Sequence, residues 1–276
     1  MALAMLFLPH LPGLAFLSGA PSLAIPWILC ACLLCFIASI INHNHMHCRI
    51  FRDNALNILL NLALSIARGH TATGIVIPHQ LNHHIEVGSD RDWIRPNLSG
   101  PGIGWRRLPR YVTFASINMM IQRTKPAAPV LPSQRLRSLR IEKAFLFAAI
   151  ALAAVHDWHV FLLFNALPWL LGLSMLVAVN LLQHDACSPT MLLGESRDFT
   201  GTLGNWLFFN NGFHTAHHWR PAAHWSKLPA LHLELQTQFS YAHQSHHSIM
   251  AYLWQFLWSR KPLIIRDTQE QILPLK

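Results

Sequence analysis

Histidine falls in short clusters whose spacing suits metal binding: His43 and His47 in HNHMH, His79, His83 and His84 in HQLNHH, and His214, His217 and His218 in HTAHH. Residues three or four apart share a helical face, so His43 can converge with His47, His79 with His83, and His214 with His217 and His218. His45 points away from the first pair. His84, five residues from His79, either serves a different metal or requires a distorted turn. Neutral imidazole binds iron, zinc, copper and nickel, and this many donors exceeds the needs of one ion. Two metals are the economical reading. With 19 His against 12 Asp and Glu together, the excess of imidazole has a chemical cause.

The elements that must carry these clusters are apolar spans. The chain has 276 residues, 52% hydrophobic and 12% charged, with positive mean hydropathy, which reads as one all-α integral membrane domain over residues 1–276. All 21 Lys and Arg lie in two blocks, fourteen from Arg49 to Lys143 and seven from Arg197 to Lys276. That is the pattern of the positive-inside rule, so the net charge of +9 reports membrane topology and nucleic acid is not an expected partner. About 20 apolar residues cross a bilayer core. Spans are predicted over 3–18, 22–41, 143–155 and 160–182. They form two hairpins, turning at Gly19-Ala20-Pro21 and at His156-Asp157-Trp158-His159. Residues 54–67 read as a helix lying in the interface or packed against the other spans, and 252–258 as a similar interfacial stripe with Trp at headgroup level.

On this topology His43–His47 and the NLLQH stretch, Asn180–His184, leave their spans on the same cytoplasmic face as the other two clusters. His156 and His159 fall on the opposite side. HQSHH, His243 to His247, repeats the HX2HH spacing, but the cluster at 214–218 follows NLLQH more closely and sits in FNNGFHTAHHWRP. The later cluster is expected to be a polar turn. His10, His45, His70, His224 and His232 are expected to be hydrogen-bonded polar residues. Cys30, Cys32 and Cys35 read as small buried hydrophobes, the N-terminus lacks the basic region of a cleavable signal peptide, and the loop 96–137 is the most linker-like stretch, yet it lies between histidine clusters and is expected to belong to the same domain.

The ordered set HX3H, HX3HH and HX2HH, with N-x-x-x-H after the fourth span, resembles the histidine boxes of the membrane fatty-acid desaturase and hydroxylase superfamily over residues 40–230. The resemblance implies two non-haem irons, O2 as co-substrate, and nine ligands: His43, His47, His79, His83, His84, His184, His214, His217 and His218. Asn180 matches an asparagine that acts through a water. Electrons would come from an external donor of ferredoxin or cytochrome b5 type, because this chain carries no fused haem-binding module. Many members place an acid after the first box histidine, where this chain has Asn44. Any carboxylate backing a ligand must therefore come from elsewhere; Asp185, Asp198 and the Asp90-Arg91-Asp92 cluster are the candidates, with solvated loop charges as the alternative reading.

Unactivated C–H bonds are not attacked by side-chain acids, bases or nucleophiles, so the expected reaction is metal-dependent oxidation of an acyl chain, with its headgroup at the basic face. Desaturation leads. Hydroxylation, ketone or alkyne formation and oxidative decarboxylation use the same centre. A histidine-rich metal transporter would explain the ligands without O2 chemistry, but no span interior carries the ionisable residues of an ion path.

Overall fold

The computed structural model describes residues 24–188, 192–239 and 245–260, and these are mostly helical. The span expected over residues 3–18 and the turn at 19–21 lie outside the described residues. Two described helices are long and apolar enough to cross a membrane: α1, Ala24–His47, and α5, the continuous helical run Trp158–His184. At 1.5 Å per residue α5 is about 40 Å long, more than the roughly 30 Å of a bilayer core. Between them α2 spans Asn54–Arg68, α3 Gly104–Arg123 and α4 Ser133–His156. After α5 come strand β1, Asp198–Phe199, and the short helices α6, Thr202–Leu207, and α7, His214–Trp219. Helix α8, Leu228–Phe239, strand β2, Ser245–His246, and α9, Ile249–Trp258, complete the described chain.

Helices α1 and α5 pack along each other. At their crossing, a Cβ on Gly172 would lie 2.6 Å from Cys35 Cβ, so only glycine lets the two backbones approach this closely. Asp157 begins α5 as its N-cap, accepting from the backbone N–H groups of His159 and Val160. The expected span over 143–155 is the apolar half of a longer helix. Helix α4 starts at Ser133 because Arg135, Arg137, Arg140 and Lys143 are good helix formers, and these charges keep it from qualifying as an apolar crossing by length and composition.

Helix α2 has the inverse of a soluble pattern. Its buried face is Asn57, Leu60, Asn61, Leu64, Ser65 and Arg68, while Leu56, Ile58 and Leu59 are exposed. Apolar residues outward and polar residues inward suit a helix whose outer solvent is lipid. Asp53 caps its start by accepting from Leu56 N, and Gly69, at φ +70°, ends it in the left-handed conformation.

Residues 96–137 belong to the same domain, as expected, but are not a loop. They contain α3, whose Tyr111 and Ala115 are buried in one core with Leu181, Leu182, Phe199, Tyr252 and Phe256. The Pro, Gly and Arg content of this stretch hides a helical spacing that only packing against α5 and α9 makes useful. Strands β1 and β2 pair in parallel, Asp198 with Ser245 and Phe199 with His246. The expected polar turn around His246 is thus partly a strand that ties α9 to the segment before α7.

Candidate metal centre

The first histidine pair sits in the last turn of α1, where regular α-helix geometry puts residues four apart on one face. The second cluster is built differently. Val76–His83 is a π-helix, followed by a single α-turn, His84–Glu86. In an α-helix, at about 100° per residue, His84 would lie about 140° round from His79. The wider i→i+5 turn brings it back beside His79. Pro78 helps to specify this turn, because it has no N–H to return to the Gly74 carbonyl. Arg123 of α3 donates to that carbonyl instead. The third cluster lies on α7, whose Thr215 N donates to Asp198 Oδ1 at 2.7 Å.

These elements assemble all nine box histidines into two groups. His43, His47, His79, His84 and His217 form one, and His83, His184, His214 and His218 the other. Within each group the candidate ligand atoms lie within 4.8 Å of one another. This corrects two expected pairings: His79 converges with His84 rather than His83, and His217 separates from His214 and His218. On α7 the pair four apart stays together, while the i+3 residue points to the neighbouring group. Phe209 and Asn210, just before α7, hold left-handed φ values of +50° and +57°. Such strain clusters at sites that the surrounding structure holds in place.

The donor set fits two cations. Ring nitrogens approach at 2.9 Å for His184 and His214, 3.0 Å for His79 and His84, and 3.2 Å for His84 with His217 and His214 with His218. Two nitrogens at right angles on one metal, each about 2.1 Å from it, are about 3.0 Å apart. His47 Nε2 and His83 Nε2, one in each group, are buried without a hydrogen-bond partner. A cation at each centre would satisfy them. Burial first, then the mutual repulsion of neighbouring imidazoles, holds His79, His214, His217 and His218 well below the usual imidazole range. They are therefore neutral, which is the form that binds metal.

Among the carboxylates singled out from sequence, Asp92 backs a box imidazole: its Oδ2 accepts from His83 Nδ1–H at 2.9 Å, and both groups are buried. His184 Nδ1–H donates to the Glu195 carbonyl at 2.7 Å. Asp185 and Asp198 act elsewhere. Asp185 forms a buried ion pair with Arg107, at 2.5 and 2.9 Å. Asp198 holds α7 in place through Thr215 N and accepts from His232 Nδ1–H at 2.8 Å. Asn180 Nδ2 donates to the Tyr111 hydroxyl at 2.7 Å, and that hydroxyl donates to the Ile94 carbonyl. Sequence reasoning missed Tyr111 and Arg107, which lie in a basic stretch without any motif.

The remaining histidines stay apart from the centre. His45 Nδ1 accepts from Ile50 N, and His224 Nδ1 accepts from Ser226 N. His70 is bonded to Arg68. His156 and His159 flank the α4–α5 turn, a helix length from His184. His246 lies in β2; His10 and His243 are outside the described residues.

An apolar cavity of about 290 Å³ meets both groups. It is lined by His43, His79, His214 and Asn180 and by Ile94, Met119, Leu173, Leu176 and Val177. A family model described as fatty acid desaturase matches residues 19–249. No curated protein and no solved structure matches the chain.

Proposed function

The chain belongs to the fatty acid desaturase family, and from that premise we propose that it is an O2-dependent, non-haem di-iron membrane oxidoreductase that introduces a double bond into a fatty acyl chain. The observation that carries this reading is the apolar cavity ending on both imidazole groups. The nine histidines would hold the two irons, and bound there the metals supply dioxygen activation against an unactivated C–H bond.

The chain's own residues bind and orient. Leu173, Leu176, Val177 and Met119 exclude water from the acyl chain. Asp92 and the Glu195 carbonyl fix the ring orientation and tautomer of His83 and His184, leaving Nε2 of each for a metal. Tyr111 holds Asn180 beside the cavity. A polar cavity of about 500 Å³ reaches His184 and Asp92 from another side, past Arg107, Asp185 and Glu195, and gives protons and water a path to the site.

Removing two hydrogens as an alkene reduces O2 to two waters with two further electrons and two protons, so an external donor, a ferredoxin or a cytochrome b5 type protein, completes the reaction. The Lys and Arg distribution supports a cytoplasmic face for the centre. Reporter fusions after Cys48 and Lys143 should read cytoplasm and one at Asp157 the opposite side.

The reaction is tested with iron-loaded protein, donor and a perdeuterated acyl substrate under 18O2. Loss of two deuterons from adjacent carbons with no 18O in the organic product is expected. An 18O-bearing alcohol or ketone moves the assignment to the hydroxylase or ketolase class, and a terminal alkene one carbon shorter moves it to oxidative decarboxylation. Absence of O2 uptake would remove all three.

A further inference from the structure

The apolar cavity has a second polar end. Arg68, the last residue of α2, lines it together with His70 and Arg123. Arg68 is only 2% exposed. Its Nε donates to Ser39 Oγ at 3.1 Å and its Nη2 to His70 Nε2 at 2.8 Å, while Nη1 has no hydrogen-bond partner. A guanidinium carries five N–H donors, so three remain without a hydrogen-bond partner.

The neighbours do not neutralise this group by direct contact. His70 must accept from Arg68 through Nε2, which leaves its Nδ1–H facing the Thr71 carbonyl at 3.3 Å. Arg123, also on the cavity wall, donates to the Gly74 carbonyl. Glu142 is buried within electrostatic reach, but its oxygens accept from Asn61, Thr73 and Ser138. Among the described residues Arg68 has no ion pair at contact distance. A buried guanidinium with spare donors is costly without an anion or acceptor.

Its position narrows the ligand. Ser39 and His43 are one helical turn apart on α1, so the guanidinium bonded to Ser39 lies one turn further along α1 from the imidazoles, toward the middle of the span. A planar fork with at least two free donors matches a carboxylate. A cavity of about 290 Å³ whose lining surface is mostly apolar takes an alkyl chain, and a nucleotide-sized carrier does not fit inside it.

We propose that Arg68 anchors the carboxylate of a carrier-free fatty acid inside the cavity, with His70 holding the guanidinium in place. This rests on the acyl-chain reading of the site and specifies it: the polar end of the substrate is bound within the bundle, not at the basic face where the charge pattern alone would put a headgroup.

The test is equilibrium binding to the purified, iron-loaded full chain, with radiolabelled decanoate and methyl decanoate as probes and decanoyl-CoA as competitor. The wild type should bind decanoate at least about tenfold more tightly than the ester, the return for two charge-assisted hydrogen bonds. Arg68→Gln should abolish that preference while leaving affinity for the ester and iron content unchanged, and Arg68→Lys should keep part of it. Equal wild-type affinity for acid and ester, decanoyl-CoA displacing decanoate more strongly than unlabelled decanoate does, or an undiminished preference in Arg68→Gln would each overturn the proposal. The wild-type comparison decides the matter even where Arg68→Gln fails to fold. Because binding is read without turnover, a carboxylate preference in a protein that consumes no O2 would count against the reaction alone, and turnover without that preference against the anchor alone.

Discussion

The two imidazole groups differ in number and in what stands behind them. The group of five, His43, His47, His79, His84 and His217, has many donors and little support: His43 Nδ1 faces the Asn44 side-chain oxygen at a long 3.3 Å. The group of four has fewer donors held more firmly, with Asp92 on His83 and the Glu195 carbonyl on His184. A position with ligands to spare tolerates loose rings. One with four depends on each ring being held in the right tautomer and direction.

The largest effect that sharpens this contrast is loss of a ligand. His184→Ala leaves three imidazoles in its group and should release about one of two iron equivalents, whereas His47→Ala leaves four and should retain most of its metal while turnover falls sharply. Metal analysis of the purified variants separates the two, and equal metal loss would erase the distinction. Next comes the support itself. Asp92→Asn should weaken iron in the four-imidazole group by about 10–100-fold, read by competition with a chelator, and leave the other equivalent in place.

A smaller change is expected at Tyr111→Phe, which removes the hydroxyl that Asn180 bonds and should cost about 1 kcal/mol of stability with both iron equivalents kept. A loss of iron there would make Tyr111 part of the centre's support. The smallest effect belongs to Asn44→Ala. Its hydrogen bond to His43 is long, so iron affinity should change by about 0.5 kcal/mol, roughly twofold. A change as large as that of Asp92→Asn would mean that the five-imidazole group is supported after all.

Much of this was readable because histidine, apolar runs and capping residues act locally. The clusters lie on helices, Asp157 turns α4 into α5, and α1 and α5 were visible as unbroken apolar stretches. The partition of ligands was not readable. Spacing rules assume 3.6 residues per turn, and Val76–His83 departs from them. Pro78 could have signalled the departure, but the π-turn also needs Arg123, some fifty residues away, to satisfy the carbonyl that Pro78 leaves free. The carboxylates show the same limit. Asp92, Asp185 and Asp198 look alike in sequence, and only the fold assigns one to His83, one to Arg107 and one to Thr215 and His232.

The sequence by itself determined which residues could bind metal and which stretches could sit in lipid, since both follow from side-chain chemistry and from periods of a few residues. Tertiary structure decided which imidazoles share a centre, which acid backs one of them, and that Arg68 faces the cavity. Those outcomes depend on helices distant in sequence being packed to within a few ångströms, through contacts such as Gly172 against Cys35 and Arg123 on Gly74, and no local pattern encodes such distances.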